Sequence, residues 1–180
     1  MLTVADLLRG PRAPEMTDDP IEHLSACHRR VEQRLQTLAR AGSAFASQRD
    51  EALRAIDAAV HFFATNGVLH TADEEESVFP RLAPKLEPAE REVIEALERD
   101  HETAAGLHAE LDVLVQRLRG DPAGEAPVEA YLECVRRLTA LYARHIAVED
   151  SQVAALARSR FSEPELAAIH AEMKQRREKQ

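Results

Sequence analysis

Apolar positions recur in three- and four-residue steps along four long segments of the chain, the period of an amphipathic helix. The first segment carries Ile21, Leu24, His28, Val31, Leu35 and Leu38 on one stripe. The second carries Leu53, Ile56, Val60, Phe63, Gly67, His70 and Glu74. The third carries Ile94, Leu97, His101, Ala104, His108, Leu111, Val115 and Leu118. The fourth carries Val128, Tyr131, Val135, Leu138, Tyr142, His145 and Glu149. No segment alternates with the two-residue period of a strand.

Helix punctuation fits these stripes. Asp19-Pro20-Ile21-Glu22 predicts a helix start, with an N-cap Asp and Pro at the first position, and that helix runs to about Gly42. Ser47 to Asp50 opens a second helix that runs to about Glu76. Pro80, Pro84 and Pro88 make 77–88 a connector. The third helix runs from near Pro88 to just before Gly120, and 121–124 (Asp-Pro-Ala-Gly) reads as a turn. The fourth runs from near Pro127 to about Arg160. Ser162-Glu163-Pro164-Glu165 opens a short fifth helix with Leu166, Ile169 and Met173 on its apolar face, and 174–180 reads as a charged, frayed end. The expected fold is all-α: an up-down-up-down four-helix bundle over 18–160, preceded by an extension at 1–17 and followed by a short extra helix and tail at 161–180.

Polar residues on an inward stripe need an explanation, because an unpaired buried imidazole or carboxylate is costly. His28 and His101 fall early in the first and third helices; His70 and His145 fall late in the second and fourth. If the helices alternate in direction, all four histidines reach one level, near one end of the bundle, together with Glu74 and Glu149. The spacing His-x-x-x-Glu alone is weak, since residues four apart share a face in any helix. His28–Glu32 and His108–Asp112 match it too, with Glu32 and Asp112 stepping off their stripes. The coincidence of four stripe histidines and two stripe glutamates carries the argument. A hydrogen-bonded His–Glu network without metal would have to satisfy six side chains in one layer.

Imidazole plus carboxylate without thiolate suits iron or manganese. Six protein ligands exceed the four of a closed zinc site. Two ions bridged by Glu74 and Glu149, with two histidines each, use all six. The zinc-protease spacing is absent, because Ala105 follows His101-Glu102 where a histidine would be needed, and a ferritin-like site would use more Glu in the reverse order, Glu-x-x-His.

Over about 19–157 the chain resembles the hemerythrin-like (HHE cation-binding) family. The resemblance is carried by Asp19-Pro20-Ile21 with Cys27-His28, by His70 to Glu75 with Phe79-Pro80, by Asp100-His101-Glu102, and by Tyr142 to Glu149. It implies an oxo- or hydroxo-bridged diiron centre with His28, His70, Glu74, His101, His145 and Glu149 as ligands. The oxygen-carrying members place a further histidine where this chain has Ala105. They also close with an acid five residues after the last histidine, the position of Asp150 here. The H, HxxxE, H, HxxxE arrangement resembles members linked to peroxide, nitric oxide or iron handling. The resemblance therefore implies a small-molecule ligand (O2, H2O2 or NO) and a redox partner of unknown identity. Catalase-, peroxidase- or NO-type turnover is one expectation; an iron- or oxygen-sensing or O2-binding module without turnover is the alternative.

Several other residues bear on the site. Tyr142, one turn before His145, reads either as a hydrogen-bond donor, redox phenol or ligand, or as a core tyrosine. His108 lies ~10.5 Å along the helix from His101, too far to share an ion, and reads as a buried hydrogen-bonded histidine with Tyr131 as its partner. His61 reads as peripheral, His23 and His170 as surface residues. Glu75 and Asp73 either orient a ligand or form a solvated acidic end. Val78, Phe79 and Leu82 are expected to fold over that end. Cys27 points about 100° away from His28 and is not read as a ligand.

Composition changes the picture only by exclusion. A net charge of −9 argues against nucleic acid as a partner. No apolar run is long enough to span a membrane, and the N-terminus lacks a secretory pattern. Two isolated cysteines fit a reduced, cytoplasmic protein.

Overall fold

The computed structural model describes residues 17–120 and 125–179. Nearly all of the extension predicted at 1–17, and the turn at 121–124, lie outside them. Among the described residues every regular element is helical. Helix α1 spans Pro20–Ala44. Its N-cap carboxylate, Asp19 Oδ1, accepts from the backbone N–H groups of Ile21 (2.8 Å) and Glu22 (3.3 Å), a cap worth roughly 0.5–2 kcal/mol. Gly42 does not end this helix. A Cβ there would stand 2.6 Å from Leu132 Cδ2 and 2.7 Å from Tyr131 Cε1, so the glycine serves the close approach of another helix.

The second segment is one long rod: α2 (Arg49–Phe62), α3 (Val68–Asp73) and α4 (Phe79–Leu82), joined by π-turns at Phe63–Gly67 and Glu74–Val78 and closed by a 3-10 turn at Ala83–Lys85. The connector expected at 77–88 is thus largely helical. Pro80 sits in the first turn of α4, just after a π-turn has reset the hydrogen-bond ladder, where its missing N–H costs little. Helix α5 spans Pro88–Gly120; Arg49 donates to its last carbonyls, Leu118 O and Arg119 O, at 3.1 and 3.0 Å. Helix α6 (Glu125–Val148), a π-turn at Glu149–Val153 and α7 (Ala154–Arg160) form the fourth rod.

Helix α8 spans Glu163–Glu178, opens with a Ser162/Glu165 capping box, and is longer than the sequence suggests. The stretch read as frayed is held because Arg176 and Arg177 reach Asp73, at 2.9 and 2.6 Å.

Packing follows the apolar stripes. Helix α1 lies against α2 and α6, α5 lies against α6, and α8 covers α1 and α3. The α2–α5 seam is the thinnest of the four. The core divides into two apolar clusters. One runs from Val31 to Leu38 on α1 through Ala104 to Leu118 on α5 and Tyr131 to Ile146 on α6. The other joins Ile21 and Leu24 to Val78, Phe79, Leu97, Val153, Ile169 and Met173. The polar residues of the stripes fall between these clusters, so their layer is interior to the bundle and does not face an open end. Helices α4 and α8 build the core beyond it. No helix among the described residues is long and apolar enough to cross a membrane.

Candidate metal centre

The six stripe residues meet in one layer. They form two groups, His28–His70–Glu74–Glu149 and Glu74–His101–His145–Glu149, and within each group one ligand atom per residue lies within 4.8 Å of all the others. His28 Nε2 and His145 Nε2 each stand 3.1 Å from Glu149 Oε2. His70 Nε2 is 3.4 Å from Glu74 Oε1, and His101 Nε2 is 3.4 Å from Glu74 Oε2. All but His101 are buried.

A cation fits this set. His28 Nε2, Glu74 Oε2 and both Glu149 oxygens are buried without a hydrogen-bond partner. Leaving such atoms unmatched costs about 1–3 kcal/mol each, more if charged. Donors held ~2.1 Å from one ion at right angles stand ~3.0 Å apart, close to the shortest spacings here. Charge points the same way. Burial opposes protonation of His28, yet Glu149 and Glu74 push it up to about 11. Burial likewise opposes protonation of buried His70 and half-buried His101, yet both rise to about 9, chiefly through Glu74. Burial would raise Glu74, but His70, His101 and His28 hold it well below the usual carboxylate range. The pocket demands positive charge beside its carboxylates, which a metal ion supplies in place of protons.

The outer faces of the imidazoles are tied as well. His28 Nδ1 is 2.8 Å from Asp150 Oδ1, which also accepts from Ser25 Oγ at 2.8 Å. His101 Nδ1 is 2.8 Å from Glu75 Oε1. Asp100 stands farther from His145 Nδ1, at 3.7 Å. A carboxylate on Nδ1 fixes the ring and leaves the Nε2 lone pair aimed at the centre. Glu74 and Glu149 each begin a π-turn. Successive side chains in an α-helix diverge by about 100°; the wider π-turn spreads them less. Glu74 with Glu75, and Glu149 with Asp150, can then serve the same layer as neighbours. No regular stripe reveals this. Doubled acids, Glu74-Glu75 and Glu149-Asp150, were the available signal.

Residues 19–157 match the hemerythrin HHE cation-binding domain. The chain belongs to that family. No curated protein matches it.

In this HHE domain the residues around the layer take definite places. Tyr142 is half-buried and its hydroxyl lies 3.0 Å from His108 Nε2. Tyr131, the partner expected for His108, instead donates to Leu38 O at 3.0 Å. Burial pulls His108 down to about 4 and pushes Tyr142 above its usual range, so both are neutral near pH 7. His61 is exposed, and His170 is half-buried on α8. His23 is not on the surface: at 2% exposure it is buried, because α8 packs over α1, a cover no stripe on α1 announces. Asp73 is no solvated acid either; it is fully buried between Arg176 and Arg177. The Cys27 thiol lies beside His70, which lowers its pKa although burial raises it.

The two groups of the HHE layer have different surroundings. Behind His28, space amounts to about 20 Å³, lined by Ile21, Leu24, Val78 and Val153 among others. Beside His101 a cleft of about 400 Å³ runs between the α2–α3 rod and α5, past Ala104, Ala105 and Tyr142.

Proposed function

We propose that this HHE domain binds two non-haem iron ions and reacts with or binds a small oxidant: O2, H2O2 or NO. The supporting observation is that two four-residue groups share Glu74 and Glu149. In this reading His28 and His70 would hold one ion and His101 and His145 the other, with Glu74 and Glu149 common to both. Early residues of two rods meeting late residues of the other two supports up-down-up-down order within a bundle at 18–160. The donor set would also accept manganese. When bound, the metal supplies the redox chemistry. The chain's own residues supply the rest. Asp150 and Glu75 hold the rings of His28 and His101. The neutral His108–Tyr142 pair supplies an O–H and a ring nitrogen for moving a proton at the cleft. Electrons come from a separate redox partner. Free, buried Cys27 and Cys134 fit a reducing, cytoplasmic setting.

A sensing role has one observation of its own. Asp73 adjoins Glu74 and is clamped by α8 through Arg176 and Arg177, so a change at the centre bears directly on the C-terminal helix.

Iron analysis with absorption spectroscopy tests the first reading. The expected result is two irons per chain with an oxo-bridge band, lost in His70→Ala. A protein that takes up no iron, or whose His70→Ala variant loads like the parent, overturns it. Rapid mixing with H2O2 and with NO then separates turnover from sensing: consumption of either oxidant supports catalysis, and spectral change without consumption supports the sensor.

A further inference from the structure

We infer that the cleft beside His101 is a binding site for a neutral, mostly apolar organic molecule. As a substrate site it rests on the diiron reading; as a binding site it does not.

Size is the first argument. A water molecule takes ~30 Å³ of liquid, so about 400 Å³ is far more than a diatomic or H2O2 needs, and holds roughly ten or more heavy atoms. The space is built into the sequence. The facing positions are small: Ala64 and Gly67 on the second rod, Ala104 and Ala105 on α5. Helices α2 and α5 therefore barely touch. Val68 stands at the mouth, 61% exposed, as apolar surface that the chain itself leaves uncovered.

Chemistry is the second. Val60, Phe63 and Leu111 make apolar walls. Phe63 also packs on His108, ring centroids 4.5 Å apart, and on Tyr142 at 6.0 Å, giving an aromatic wall. Apart from Thr71 and three exposed acids, the polar groups of the lining come together at the Tyr142–His108 hydrogen bond beside His101. An apolar cavity with a few placed polar groups is the usual form of a small-molecule site. Charge selects among ligands. Glu75, Glu76 and Asp112 line the opening, and the whole chain carries −9, so anions of the same shape are repelled. A flat ring system bearing one hydroxyl meets every condition: the ring against Phe63, the hydroxyl at Tyr142 and His108.

The probe is 2-naphthol, titrated into the full chain as purified and after iron removal, and read by its fluorescence and by amide shifts at Gly67 and Ala105. We expect saturable one-to-one binding with Kd of about 10–100 µM, ordinary for a ligand this small. 2-Naphthalenesulfonate, the same ring as an anion, should bind at least ~10-fold more weakly. Ala105→Phe and the gentler, solvent-side Ala64→Leu should each raise Kd at least ~10-fold without lowering Tm, because they fill the space. No saturable signal, or unchanged affinity in a folded Ala64→Leu protein, overturns the site. Equal affinity for the sulfonate overturns its selectivity. Binding by the iron-free chain is read whether or not the diiron assignment stands.

Discussion

On the His28–His70 side of the layer the remaining space is about 20 Å³, and Ile21, Leu24, Phe79 and Val153 close it. On the His101–His145 side a cleft of about 400 Å³ reaches His101 itself. The side chains that could hold an ion are alike on the two sides: two imidazoles each, and the same two shared carboxylates. The residues around them differ. The first side lies under the core that α4, α7 and α8 complete; the second lies where alanines and a glycine keep two helices apart. Donor identity sets which ion can bind, while side-chain volume one turn away sets what can approach it.

The largest effect should come from the residues that belong to both sides. Glu74→Gln keeps the volume and removes the charge that both groups share. Metal affinity on both sides should fall by more than the ~100-fold that loss of an outer partner costs. Iron content after dialysis reads this, with His28→Ala and His101→Ala as one-sided controls. If Glu74→Gln keeps a full complement of iron, the shared-carboxylate arrangement fails.

Next is the clamp that closes the first side. Asp73 is fully buried with both oxygens on arginines of α8. Asp73→Ala leaves two partly exposed arginines, of which Arg176 still holds Glu76 and Ser77, so the cost should be about 1–3 kcal/mol. Asp73→Ala should lower the urea midpoint accordingly and admit solvent to the His28 side, leaving the His101 cleft as it was. Glu133→Ala, which removes the exposed partner of Arg136, should cost about 0–1 kcal/mol. Equal effects from the two variants would mean that α8 is not what seals that side.

The difference between the sides also marks where the sequence could be read. The six residues of the layer stand in phase with apolar neighbours such as Leu24, Val31, Leu97 and Ala104, so periodicity together with alternating helix direction assembled them. The all-helical class and the second helix of the bundle were legible for the same reason. Three things were not. The π-turns at Glu74 and Glu149 break the 3.6-residue period locally, so the role of Asp150 fell out of phase and that of Glu75 stood only as one of two readings. Pro80 reads as a helix breaker unless the ladder has already been reset before it. The cover that α8 provides depends on contacts such as Arg177 with Asp73, more than 100 residues apart, which no local pattern carries. The cleft was half-legible: Ala105 stood out as a missing histidine, but not as one wall of a cavity.

Those two displaced carboxylates allow a finer cut. Asp150 serves His28 on the closed side; Glu75 serves His101 on the open side. Losing such a partner commonly costs 10–100-fold in metal affinity, or about 1.4–2.7 kcal/mol. In a stepwise iron titration, Asp150→Asn should weaken one binding step and Glu75→Gln the other. Glu75→Gln should also remove part of the negative charge at the cleft mouth. If either change weakens both steps equally, the two sides are not separable and the contrast drawn above dissolves.

The smallest effect concerns His23, buried against α8 on the closed side, with neither ring nitrogen hydrogen-bonded. Burial first, then the charges of Arg177 and Arg30, bring it from 6.5 down to about 4. The unfolded chain takes up a proton near pH 6.5, and the folded one resists until about pH 4. Stability from this residue is therefore complete above pH 6.5 and is lost as the pH falls through that window, by about 1–2 kcal/mol at pH 5. His28, His70 and His101 are shifted upward and act in the opposite sense, favouring the iron-free fold at low pH, which would mask His23 in a single melt. The comparison with His23→Leu removes that background, because the raised histidines are common to both proteins. The midpoint at pH 5, taken relative to that at pH 8, should be higher in the variant than in the parent, by the amount His23 costs. An identical pH slope in the two proteins would mean that α8 leaves His23 open to water, and that the closed side is less closed than its packing indicates.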